Sequence, residues 1–182
     1  MPTLRRGLEP LCRSLAIFAL AGAVSLGFAW LPASATEVGL QLPGDPAIAT
    51  LIAAEQALLV LTNADRVDNG LAPLEFDPDM LAIARQRAAT QLNVPSLSHY
   101  NAEGELVFVK LLAGAQVSYE LAGENLARAY DNDPAVTQRI EQALMRSPLH
   151  RKNILEHTFN RVAIGAATDG SGQITFAEVY RN

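Results

Sequence analysis

From residue 14 to residue 31 the chain carries no charge; beyond it, apolar positions become periodic, first at helical spacing and then in strand-like alternation. Three helix starts share one device. Asp45-Pro46, Asp77-Pro78 and Asp133-Pro134 each place a carboxylate before a proline. The acid accepts from the orphan N–H groups of the first turn, and proline has no N–H to leave unpaired there. The first helix is expected over 46–68, with Ile48, Leu51, Ile52, Leu58 and Leu59 as its apolar side and Gly70 as its C-terminal stop. Its register breaks near Glu55. The second carries Leu81, Ala84, Ala88 and Leu92, and the third Val136, Ile140, Ala143 and Leu144, both at amphipathic spacing. Residues 106–112 read as a short helix ending at Gly114. Strands are expected over 125–130, 162–168 and 174–180, the last two joined by Asp169-Gly170-Ser171-Gly172, a loop suited to a hairpin. Helices followed by strands with one helix interposed make an α+β fold, its helices covering a mostly antiparallel sheet.

The uncharged run changes where this fold is expected to work. Arg5, Arg6 and Arg13 precede it and Ala33-Ser34-Ala35 follow, the basic, apolar, small-residue order of a secretory signal peptide. Residues 1–35 are therefore read as a signal peptide cleaved near Ala35, 36–46 as a leader and 47–182 as one domain. The run is also long enough for a marginal membrane anchor, the alternative reading. Either way the domain lies outside the cytoplasm, secreted or periplasmic, with no membrane span once the signal is cut.

Cleavage removes three arginines and Glu9 and leaves 11 basic against 18 acidic residues, a net charge of −7. Such a product is a poor partner for nucleic acid or an anionic membrane. Cys12, the only cysteine, leaves with the signal, so the domain has no disulfide and relies on its apolar core. With 49% hydrophobic and 18% charged residues, the chain is far from the composition of a disordered one.

Candidate chemistry is sparse. His99 sits in Ser98-His99-Tyr100 and His150 in Ser147-Pro148-Leu149-His150-Arg151, while His157 reads as a surface residue. Ser147 as N-cap and Pro148 as first helical residue place His150 in an opening turn, where the positive helix end disfavours imidazolium. A neutral imidazole can ligate a metal or accept a proton; a local hydrogen-bonding role is the plainer alternative. Glu124, in Gly123-Glu124-Asn125-Leu126-Ala127, stands at the start of a strand. His99, Glu124 and His150 are the ligand types of a three-ligand zinc site with an open position, although their spacing does not tell whether they meet. The chain has neither a Gly-x-Ser-x-Gly elbow nor a His-Glu-x-x-His helix.

Leu61-Thr62-Asn63-Ala64-Asp65-Arg66 followed by Gly70-Leu71-Ala72-Pro73-Leu74, then Ser98-His99, Gly123-Glu124-Asn125 and the block from Ser147 to Leu155, occur in the order found in the CAP superfamily of cysteine-rich secretory, antigen 5 and pathogenesis-related proteins. The chain resembles a cysteine-free, bacterial branch of it. That resemblance implies a three-layer α-β-α sandwich and a cavity that relatives line with two His and two Glu. His99, Glu124 and His150 match three of these, and Ser147 falls at the place of the second Glu. The usual Trp is Leu144, and the first Gly of a Gly-x-Gly is Ala163, before Ile164 and Gly165. Relatives have extracellular defence, cell-wall and lipid-binding roles.

The resemblance thus leads to a non-catalytic extracellular binding module. Its cavity residues His99, Glu124, His150 and Ser147 would take zinc or another divalent cation, or a small polar or lipid ligand. The alternatives are a hydrolase with a histidine base and Ser147 or a metal-bound water as nucleophile, and a scaffold that recognises another extracellular protein. Glu178 is expected as an end-of-strand acid facing solvent or a backbone partner; its alternative is to replace the missing cavity acid. Asn63 and Arg66 read as structural hydrogen-bonding groups at a helix end.

Overall fold

A computed structural model describes residues 52–130, 135–169 and 171–182. The expected signal segment, the leader and the Asp45-Pro46 cap lie outside the described residues, as do Asp133 and Pro134. In chain order the elements are α1 (Ala53–Asp68), β1 (Glu75–Phe76), α2 (Pro78–Thr90), α3 (Val107–Gly114), β2 (Ala122–Tyr130), α4 (Val136–Arg146), α5 (Pro148–Ile154), β3 (Arg161–Thr168) and β4 (Gln173–Arg181). The sheet runs β1-β3-β4-β2, with β4 antiparallel to both neighbours and β1 parallel to β3. β1 is too short to show alternation in sequence. It forms because the turn after α1 lays the chain along β3, where Glu75 N–H reaches Asn160 O at 2.9 Å and Asp77 N–H reaches Val162 O at 2.8 Å.

Alternation along β3 and β4 splits the core into two layers of side chains. Val162, Ile164, Phe176 and Tyr180 face Leu58 and Leu59 of α1, Ile140 and Leu144 of α4 and Ile154 of α5. Ala163 and Val179 face Met80, Ile83 and Ala84 of α2 and Phe108 and Leu112 of α3. The result is the expected three-layer α-β-α sandwich, with five helices on a four-stranded mixed sheet among the described residues.

The caps follow the sequence where they are described. Asp77 accepts from Asp79 N–H at 3.0 Å, with Pro78 in the first turn of α2. After α1, Gly70 takes φ +76°, and Leu71 N–H returns to Arg66 O at 2.9 Å. Three local expectations fail. Ile52 precedes α1 and is 51% exposed rather than part of the apolar side. Ala143 faces outward, because α4 buries Thr137, Ile140, Glu141 and Leu144 instead. Leu92 lies past the end of α2.

The break in periodicity at Glu55 has a cause. Its carboxylate is fully buried and accepts from Ile52 N–H at 3.1 Å, from both Nε and Nη2 of Arg85 at 2.8 and 2.7 Å, and from Ala166 N–H at 3.1 Å. One acid thus joins the start of α1 to α2 and β3.

Asn63 and Arg66 are structural, as expected, but they serve more than their own helix end. Asn63 exchanges hydrogen bonds with the backbone of Leu74, its Nδ2 donating at 3.0 Å and its Oδ1 accepting at 2.7 Å. Arg66, 2% exposed, donates to the carbonyls of Ala72, Ile154, Glu156 and Phe159. An ammonium has three donors on a single atom and cannot reach four carbonyls spread round a guanidinium fork. Arg66→Lys should therefore lower stability by about 1–2 kcal/mol in urea unfolding, the cost of a buried carbonyl left without a donor.

Candidate functional site

Edge strand β2 carries the acid of the site. Glu124 points to the α2 side of the sheet, where Arg87 Nε donates to its Oε1 at 2.7 Å and Arg87 Nη2 to its Oε2 at 3.1 Å. Both side chains are buried, at 2% and 0% exposure. The same Nη2 donates to Ser98 O at 2.8 Å, so one guanidinium holds both the acid and the loop that bears His99. Further ties fix that loop: Ser98 N–H donates to Gln91 Oε1 at 2.9 Å, Val107 N–H donates to His99 O at 2.9 Å, and Tyr100 bridges to Leu106.

His99 is buried, and its Nδ1 lies 2.7 Å from Glu124 Oε2. A carboxylate there favours the tautomer with hydrogen on Nδ1, which leaves the Nε2 lone pair as the atom able to bind or to accept a proton. His150, half-buried in α5, senses His99 electrostatically. Burial foremost, and then the electrostatic influence of His99, push its imidazole below the ordinary histidine value. His150 is held in place through its main chain: Asn125 Nδ2 donates to His150 O at 3.2 Å, and Asn153 Nδ2 donates to Asn125 Oδ1 at 2.9 Å and to Glu124 O at 3.2 Å.

His99 and Glu124 therefore meet, and His150 lies within electrostatic reach of His99. Ser147 stands at the N-cap of α5, but its side chain makes no capping hydrogen bond, contrary to expectation. Among the described residues, no group of three or more His, Cys, Asp or Glu is placed to hold a metal ion. Glu124 stands behind His99 with its oxygens on Arg87, the position of a group that orients a ligand rather than one that binds. The donor set left over is two imidazoles, a chemistry that fits a divalent transition metal.

Glu178 is neither at an edge nor facing solvent. β4 lies between β3 and β2, and Glu178 is 1% exposed on the α1/α4 side, bonded to Thr62, Asn125 and Tyr180. Asn125 Nδ2 bridges it to the main chain of His150, donating to Glu178 Oε2 at 2.9 Å and to His150 O at 3.2 Å. His157 is at the surface as expected, 83% exposed beside Glu156. Arg87 escaped the sequence reading, although a signal was present: it shares the helix face of Ala84 and Ala88, where an arginine needs a buried partner.

An α-β-α sandwich with an acid-backed imidazole at its edge strand defines a class of small α+β domain with a His/Glu site. Residues 59–180 match the CAP family, described as the Cysteine-rich secretory protein family, and the chain belongs to it. It is 30% identical over 117 residues to the uncharacterized protein YkwD of Bacillus subtilis, a match that takes in 64% of this chain and 44% of that protein. Its fold resembles that of an extracellular protein containing an SCP domain from Bacillus anthracis, with TM-score 0.59 and 23% identity over 71% of this chain and 40% of that one. It also resembles NaASP2, solved with Zn2+, with TM-score 0.50 and 12% identity over 70% of this chain and 78% of that one. The chain thus spans under half the length of YkwD and of the B. anthracis protein. Among the described residues, no helix is long and apolar enough to cross a membrane.

Proposed function

We propose that this protein is an exported, non-catalytic binding module that presents His99 Nε2 and His150 to a divalent cation or a small polar ligand outside the cell, with Glu124 fixing the orientation of His99. The observation that carries this reading is the 2.7 Å contact between His99 Nδ1 and Glu124 Oε2, itself clamped by Arg87. Export is supported by the signal-like segment at 1–35 and by the extracellular B. anthracis relative. A cation is supported by the unprotonated state that burial favours at His150 and by the zinc in NaASP2.

Thermal unfolding with added zinc and with chelator tests the reading. Zinc should raise the melting temperature of the wild-type protein, by a free energy approaching about 2.7 kcal/mol at a hundredfold excess over Kd. That gain should vanish in His99→Ala and in His150→Ala. A transition indifferent to both zinc and chelator counts against the cation. Turnover of a peptide, ester or cell-wall substrate that disappears in Glu124→Gln would replace binding by hydrolysis, with His99 as general base.

A further inference from the structure

On the sheet face away from Glu124 lies a second polar cluster that the imidazole site does not use. Glu178 of β4, Glu141 of α4 and Thr62 of α1 are 1%, 3% and 0% exposed. Thr62 Oγ1 stands between the two acids, 2.9 Å from Glu178 Oε1 and 3.1 Å from Glu141 Oε2. A hydroxyl has one hydrogen to donate, so two ionised carboxylates would leave one of these contacts without any. The surroundings decide which acid carries charge. Glu178 also receives the Tyr180 hydroxyl at 2.5 Å and the Asn125 amide at 2.9 Å. Glu141 has Thr62 on Oε2, while its buried Oε1 receives no donor and has another acid, Asp65, beside it. The hydrogen count closes when Glu141 is a neutral acid that donates to Thr62, which in turn donates to an ionised Glu178.

We propose that the domain keeps one proton in its core, on Glu141 and relayed through Thr62 to Glu178, and that this proton contributes stability that is lost as pH rises. Every element packed on the cluster is consistent with it. From β4 come Glu178 and Tyr180, and from α1 comes Asp65, an acid within side-chain hydrogen-bonding reach of Glu141 that favours its protonated form both by that contact and by repelling charge there. Arg66, also of α1, spends its guanidinium on four carbonyls. β2 contributes the uncharged Asn125, and α5 contributes His150, which responds to burial and to His99. Desolvation first, and then the neighbouring acids, push Glu141 up to about 10; burial pushes Glu178 up as well, but there the hydrogen bonds from Tyr180, Asn125 and Thr62 oppose it.

In the unfolded chain a glutamate titrates near about 4.3. Above that value the folded state retains a proton that the unfolded state has lost, so rising pH favours unfolding, by up to about tenfold in the folding constant per pH unit. The stabilising contribution is full below the unfolded value and is lost as pH rises towards about 10.

Two measurements on the purified protein test this. Infrared difference spectroscopy at neutral pH should show the C=O band of a protonated carboxyl in the wild type, absent in Glu141→Gln. Urea unfolding between about pH 5 and pH 9 should show the wild type losing stability with pH more steeply than Glu141→Gln, whose amide keeps the hydrogen donated to Thr62. Parallel pH profiles, no carboxylic acid band in the wild type, or a band that survives the substitution would each overturn the proposal. If Glu141→Gln does not fold, the wild-type band and its disappearance on unfolding at neutral pH decide the matter.

Discussion

Gly165→Ala should cost at least about 3 kcal/mol of stability, the upper end for overpacking in a core, and leave little folded protein at physiological temperature. A Cβ on Gly165 would lie 2.2 Å from Ala84 C, 2.2 Å from Arg85 N and 2.4 Å from Ala84 O. These are main-chain atoms of α2, so no side-chain rotation relieves the overlap. The helix would have to move away from β3 bodily. It is held where it is by the hydrogen bond from Thr175 Oγ1 to Ala88 O at 2.7 Å, by the pairing of Arg85 with Glu55, and by Met80, Ile83 and Ala84 in the core. Gly114→Ala supplies the contrast, since nothing lies within 4 Å of its added Cβ, and it should change stability by less than about 1 kcal/mol. Urea unfolding of the two variants beside the wild type reads the difference. The close approach also serves the site: it sets α2 at the depth from which Arg87, one turn beyond Ala84, reaches Glu124.

The layers of the fold were legible because they rest on short-range signals. Asp77-Pro78 starts α2, Gly70 stops α1, and alternation along 162–168 and 174–180 marks the two central strands. β1 was not legible, since two residues carry no period. The site was legible only in its parts. His99 and Glu124 stand 25 residues apart, and nothing in either segment says that a loop folds back to bring them together; the family pattern alone suggested it. The polar groups that do most to join the layers shared one overlooked mark. Glu55, Arg87, Glu141 and Glu178 are charged residues on faces that apolar periodicity assigns to the core. Periodicity can say that such a residue is inside. It cannot name the partner, because the partners are distant: Arg87 finds Glu124 37 residues on, and Thr62 finds Glu141 and Glu178 across 79 and 116 residues. The expectation that Glu178 faces solvent failed for this reason, and the guanidinium partner of Glu124 went unforeseen for the same one.

Arg87→Met should be as damaging as the glycine substitution, at about 3–5 kcal/mol, because it strands a buried carboxylate. Glu124 would keep the His99 imidazole as its one remaining side-chain donor, with a fully buried charge otherwise unpaired. The Ser98 carbonyl would lose its donor as well, so the loop carrying His99 should loosen. Stability and ligand response should therefore fall together, the second seen as a reduced effect of zinc on whatever transition remains. The double variant Arg87→Met with Glu124→Gln separates charge from packing. With both charges gone, much of the lost stability should return, giving a coupling of about 2 kcal/mol or more in the double-mutant cycle. Zinc response should not return with it, because a glutamine behind Nδ1 no longer supplies the negative charge that makes His99 a strong donor. A cycle with no coupling would mean that Arg87 acts through its packing and the Ser98 carbonyl alone, and that Glu124 holds its charge in the core without the guanidinium.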